Sequence, residues 1–140
     1  MTKKEQSTIL IVDDDTMCLN FLIHLLYGEC TILIAKDGQT AIETAVKNSP
    51  DLIILDIDMP GMTGIEVLSK LRTFEETKTT PVVFFTSNDR LESEAACFNL
   101  GAVDYIKKSS GADIIRMRIR NQLHIINNMR QPDYNRQYLI

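Results

Sequence analysis

The chain carries no excess of positive charge: 15 lysines and arginines face 19 aspartates and glutamates, a formal net charge of −4 over 140 residues. Binding nucleic acid across a surface requires many basic groups to neutralise phosphates, so recognition of DNA or RNA by the whole surface is excluded. Long hydrophobic runs are missing too. The N-terminus reads MTKKEQST before a short apolar patch that Asp13 interrupts. That is too short for a signal-peptide core and far too short to span a bilayer. Cysteine is sparse, and Cys18, Cys30 and Cys97 are odd in number, scattered and not at metal-ligand spacings. They fit buried thiols in a reducing, cytoplasmic compartment rather than disulfides or a zinc site. No repeat, low-complexity tract or internal linker breaks the chain. What these absences leave is most simply one domain, long enough to bury a full core.

Five short apolar runs are present: ILIV (9–12), TILIA (31–35), LIIL (52–55), VVFF (82–85) and VDYI (103–106). Most are continuous rather than alternating, the pattern of strands covered on both faces. Helical spacing fills the gaps. Cys18, Phe21, Leu22, Leu25 and Leu26 precede a stop at Gly28, and Ala41, Ile42, Ala45 and Val46 end at Asn48-Ser49-Pro50. Ile65, Leu68, Leu71 and Arg72 give a third helix, with Gly64 near its start. Leu91, Ala95, Ala96 and Phe98 form a fourth helix, with Asn88 or Asp89 as its cap and Gly101 as its stop; a fifth runs from about 113 to 129. Strand and helix alternate five times, which predicts a doubly wound α/β fold: a five-stranded parallel sheet with helices on both faces.

In such sheets ligands bind beyond the carboxyl ends of the strands, near the point where strand order reverses. Asp13, Asp14 and Asp15 leave the first strand, and Asp56 and Asp58 leave the third. Two unit charges about 4 Å apart repel by roughly 4 kcal/mol at an effective dielectric near 20. Either one acid keeps its proton or a cation belongs among them. A small hard ion held by one or two carboxylates, waters and a phosphate oxygen is the magnesium pattern. Asp15 reads instead as the cap of the first helix. The fourth strand ends in Thr86-Ser87 and the fifth in Lys107-Lys108. A hydroxyl and an ammonium beside carboxylates form a clamp for a tetrahedral anion.

With those motifs together, the chain resembles the receiver domain of two-component response regulators, the flavodoxin-like (βα)5 family that includes the chemotaxis regulators. The likeness covers roughly residues 7 to 130. ILIVDDD resembles the family's first strand with its acidic pair, which implies that Asp13 and Asp14 are magnesium residues. LIILDIDMPGMTG resembles the phosphoacceptor strand and loop, which implies that Asp56 takes a phosphoryl group from a histidine kinase and that the backbone carbonyl of Asp58 joins the metal. FFTS implies a switch hydroxyl at Thr86. GAVDYIKK implies a switch aromatic at Tyr105 and the phosphate-binding lysine at Lys108, with Lys107 as its competitor. On this reading the protein is a phosphoacceptor switch rather than an enzyme. The family usually has proline after its lysine; here Ser109 follows Lys108, and a trans bond is expected because a cis bond without proline costs about 2.5–4 kcal/mol. Asp58 and Asn88, two residues beyond Asp56 and Thr86, either tune the lifetime of the phosphoryl group or are solvated loop residues.

The last helix reads IIRMRIRNQLHIINNMR, with Ile115, Ile119, Leu123 and Ile126 on one stripe and Arg116, Arg120 and Asn127 on another. It is either a packed fifth helix with a solvated basic side or a helix prolonged into a dimerising linker. The segment resembles the junctions that precede diguanylate cyclase domains. The receiver is expected to occupy 1–130 and a tail or linker 131–140; after Pro132 too few residues remain for a DNA-binding helix pair or an enzyme, so the chain is a stand-alone receiver or a fragment. An output domain or effector protein is the implied second partner. His24 and His124 lack partner ligands in the sequence and read as structural. Two other functions compete. A receiver can dock partners without being phosphorylated. DIDMP also resembles the DxD opening of haloacid-dehalogenase-type phosphatases, but there a small residue stands where Pro60 is here, and the metal-binding acids follow the nucleophile rather than precede it.

Overall fold

The computed structural model describes residues 6–129; the tail expected at 131–140 lies outside them. Strands and helices alternate as β1 (Thr8–Val12), α1 (Thr16–Leu26), β2 (Thr31–Ala35), α2 (Gly38–Asn48), β3 (Leu52–Leu55), α3 (Gly64–Leu71), β4 (Val82–Thr86), α4 (Leu91–Asn99), β5 (Asp104–Lys107) and α5 (Ala112–Met129). The sheet has the order β2-β1-β3-β4-β5, with every pairing parallel. Strand order therefore reverses at β1, and the crevice beside β1 and β3 is where a ligand is expected.

The continuous apolar runs split by parity into two cores. Ile9, Ile11, Leu52, Ile54, Val83, Phe85 and Ile106 pack against α1 and α5 through Leu19, Leu22, Leu26, Ile115, Ile119 and Leu123. Leu10, Val12, Ile53, Leu55, Val82 and Phe84 pack against α2 and α3 through Ala41, Ala45, Val67, Leu68 and Leu71. Each buried aliphatic side chain contributes about 1.5–3 kcal/mol, so the central strands hold the sheet in place from both faces. No described helix is long and apolar enough to cross a membrane.

Helix ends follow local chemistry. Asp15 caps α1 by accepting from the Met17 N–H, Asp37 caps α2 through Thr40, and Thr63 with Glu66 makes a reciprocal capping box on α3. The α4 helix departs from expectation. Its N-cap is Arg90, which makes no side-chain cap bond, rather than Asn88 or Asp89. Leu91, Ala95 and Phe98 are exposed, while Ser93 and Cys97 face inward. The reason lies in Asn88, whose side chain bonds the Arg90 N–H and Asp58 and so cannot cap the helix. On α5, Ile115, Ile119 and Leu123 are buried as expected, but the basic side is not merely solvated: Arg120 pairs with Glu29 through two bonds of 2.8 Å. The three cysteines are buried free thiols, and both histidines lie on exposed helix surface.

Candidate functional site

Register brings the strand ends together. Val12 pairs with Leu55, and the Asp56 N–H donates to the Val12 carbonyl at 3.0 Å, so the next residues, Asp13 and Asp56, lie side by side. Asp13, Asp14 and Asp56 each offer a carboxylate oxygen within 4.8 Å of the others. Asp13 and Asp56 are buried and Asp14 is exposed. From the other side of the crevice, Thr86 pairs with Lys107 and the Lys108 N–H donates to the Thr86 carbonyl at 2.9 Å. Alternation then turns Lys107 outward and Lys108 inward. The Lys108 ammonium sits 2.7 Å from Asp13 Oδ2 and 3.5 Å from Asp56 Oδ2. The bond between Lys108 and Ser109 is trans, as expected for a chain without proline there.

The charges are not balanced. Two carboxylates no more than 4.8 Å apart repel by at least about 3.5 kcal/mol at an effective dielectric near 20, and one ammonium faces a group of three acids. Burial pushes the Asp56 carboxyl above its ordinary pKa; a hydrogen bond from Thr86 opposes this, the Asp13 charge adds to it, and Lys108 again opposes. For Lys108, burial alone would lower the pKa, but the Asp13 hydrogen bond and the Asp56 charge outweigh it and hold the ammonium above its usual value. Lys108 is thus a permanent cation aimed at the acid pair. Cys18 lies beside the same groups, and burial followed by the Asp13 contact pushes its thiol up to about 12, so it stays neutral.

Thr86 is fully buried at the end of β4, and Tyr105 is buried on β5, where its hydroxyl donates to the Asn88 carbonyl at 2.6 Å. The Asp58 side chain turns away from the acid group toward Asn88 and Arg90, with Asn88 Nδ2 at 3.2 Å and Arg90 at 3.8 Å. Two neighbours of the acid group carry little signal in the sequence. The sequence marks Gly64 as a helix start, yet a Cβ there would lie 2.0 Å from the Asp56 carbonyl oxygen. Only glycine lets α3 begin so close to the acid. Arg90 carried no motif signal, because its partner lies on another loop.

The sequence profile described as "Response regulator receiver domain" matches residues 9–120. The chain is 40% identical over 123 residues to "Histidine kinase P4" of Formosa agariphila, covering 88% of this chain and 9% of that protein. It is 32% identical over 128 residues to "Response regulator ArlR" of Staphylococcus saprophyticus, covering 91% of this chain and 54% of the relative. The chain therefore spans a small part to about half of these relatives' length. Among solved structures, the response regulator receiver domain protein (CheY-like) of Methanospirillum hungatei superposes with a TM-score of 0.81 at 25% identity, over 89% of this chain and 99% of that one.

Proposed function

From the premise that this chain belongs to the response regulator receiver domain family, a signalling domain of two-component systems, we propose that Asp56 is its phosphoacceptor. The observation that carries the reading is the meeting of Asp13, Asp14, Asp56, Thr86 and Lys108 at the carboxyl edge of one sheet. A carboxylate with a raised proton affinity is a better nucleophile than a free one. Its oxygen would form the new bond to phosphorus as the bond from phosphorus to a histidine nitrogen of a partner kinase breaks. Phosphoryl transfer depends mainly on positioning and charge stabilisation, and this chain supplies both. Lys108, now bonded to Asp13 and Asp56, is placed to neutralise the incoming phosphoryl oxygens. The Thr86 hydroxyl, a neighbour of Asp56, would donate to one of them.

The donor set fits a hard divalent cation: oxygen ligands only, close enough to share one ion, and short of positive charge. Asp14 and Asp56 would hold magnesium directly, Asp13 through water, and the Asp58 backbone carbonyl would complete the protein's share. When bound, magnesium supplies charge neutralisation for the transferring group. Phosphorylation adds charge and acceptor oxygens, and Thr86 and Tyr105 would relay the change to the surface of α4 and β5 by favouring one of two packings. The receiver would extend to about residue 130 and act on an output domain or effector, with prolongation of α5 as the route to a dimer.

Incubation with magnesium and a small-molecule phosphodonor tests this. The expected result is an acid-stable, base-labile label that Asp56→Asn abolishes. Repeated turnover of a phosphomonoester would instead indicate a phosphatase, and neither result would leave a docking module.

A further inference from the structure

Lys108 also meets a group that is not an acid. Phe84 and Phe85 of β4 lie opposite Tyr105 and Ile106 of β5, so Phe84 meets Tyr105 on one face of the sheet while Phe85 and Ile106 share the other. Lys108 stands two residues beyond Ile106, and its ammonium lies over the Phe85 ring, 5.9 Å from the centroid. That ring is buried, and its tilt is set by Phe21 of α1, which stacks on it at 6.3 Å and 14°. A cavity of about 230 Å³ lined by Asp15, Met17, Cys18, Phe21, Phe85 and Lys108 adjoins the pair. The ammonium is therefore bounded by carboxylates on one side and by an aromatic wall and a cavity on the other.

A flexible four-carbon stem lets an ammonium take many positions, and this one has room to leave the acids. Its bond to Asp13 is short, but that to Asp56 is long at 3.5 Å. Carboxylates that share their charge with another cation also attract it less. The face of an aromatic ring carries partial negative charge and attracts a cation within about 6 Å, the more so where water is kept away. That attraction takes up no proton and is not shared with an ion on the carboxylates, so it persists when the acids are occupied. A leucine at the same place would fill the space without offering the charge. We propose that Phe85 is a positioning residue for the transfer at Asp56: its ring, braced by Phe21, holds the Lys108 ammonium at the acid group and keeps it from turning into the cavity. This rests on the reading of Asp56 as phosphoacceptor.

The test changes the charge on the ring and leaves its shape. In the 140-residue chain, Phe85 is replaced by mono-, di- and trifluorinated phenylalanine, each fluorine drawing electron density from the ring face. Phe85→Leu removes the ring, and every replacement is also made together with Lys108→Met, which removes the cation. Two quantities are read: the rate constant for labelling Asp56 with a small-molecule phosphodonor and magnesium, and the urea midpoint in a chelator, which needs no label. The labelling rate should fall stepwise with fluorine number, by about two- to fivefold at the trifluorinated ring, and at least as far in Phe85→Leu. Along the fluorine series the midpoint should fall in the Lys108 chain and stay level in Lys108→Met, because an interaction vanishes once one partner is gone. A labelling rate that is flat across the fluorine series overturns the proposal, whatever Phe85→Leu does. So do midpoints that change equally in both backgrounds, since the ring then acts by packing alone. A wild-type chain that takes no label overturns the reading of Asp56, and the role of Phe85 in the transfer with it, while the midpoints still report whether ring and ammonium interact.

Discussion

Replacing Lys108 with methionine keeps most of the side chain's bulk and removes the charge that Asp13 and Asp56 face. At 2.7 and 3.5 Å, and an effective dielectric near 20, the gross attractions lost are about 6 and about 5 kcal/mol. Most of that offsets the cost of taking the groups out of water. Removing one partner of a buried ion pair costs about 3–5 kcal/mol, and the Lys108 side chain is 21% exposed, so a loss of about 2–4 kcal/mol at neutral pH is expected. The pH dependence distinguishes this origin from lost packing. Asp56 already has a raised pKa, and Lys108 is among the influences lowering it. Without Lys108 the carboxyl rises further and takes up its proton at higher pH. A group whose folded pKa exceeds its unfolded one costs the fold stability as pH climbs through that interval. The variant's deficit should therefore be largest at neutral pH and shrink as acid neutralises Asp56. Urea unfolding in a chelator, at pH 7.5 and again near pH 4.5, measures it. An equal deficit at both pH values would show that the ammonium is held by packing and that charge within the acid group is not what it balances.

Asp56→Asn removes a carboxyl whose folded pKa burial has raised, so without divalent ions the variant should unfold at higher urea than wild type at neutral pH, the gap closing as pH falls to the ordinary value of 3.8; magnesium should then stabilise wild type more than the variant. Gly64→Ala would place a Cβ 2.0 Å from the Asp56 carbonyl oxygen and should cost about 1–3 kcal/mol or more by urea unfolding, with slower labelling of Asp56. Gly111→Ala, where nothing lies within 4 Å, should change stability by less than about 1 kcal/mol, and equal costs at the two sites would contradict the close approach. Arg72 donates to the carbonyls of Thr77, Thr80 and Leu100, so Arg72→Met should cost about 2–3 kcal/mol, whereas Arg120→Ala, at an exposed ion pair with Glu29, should cost clearly less. The reverse order in chemical denaturation would refute that ranking.

Strand parity explains how much of the site the sequence made legible. Leu52 to Leu55 are buried on both faces, so the run is continuous and its end is visible where Asp56 begins. The same parity separates Lys108 from Lys107, because residues adjacent on a strand face opposite ways. Asp13, Asp56, Thr86 and Lys108 could all be picked out because a strand end is where a local pattern and a position in the fold coincide. Gly64 and Asn88 could not be given their places that way. The role of Gly64 depends on the chain returning to the Asp56 carbonyl after a loop, and that of Asn88 on groups from β4, β5 and the loop after β3. The outward turn of Leu91 and Phe98 on α4 is a third case: helical spacing locates an apolar face but does not say which side of the helix the sheet will cover. In this fold the clustered acids and the lysine that faces them sit at strand ends, whereas groups that pack around them sit on loops. Local pattern therefore marks the charged strand ends, whereas contacts such as those of Gly64 and Asn88 depend on segments far apart in the chain.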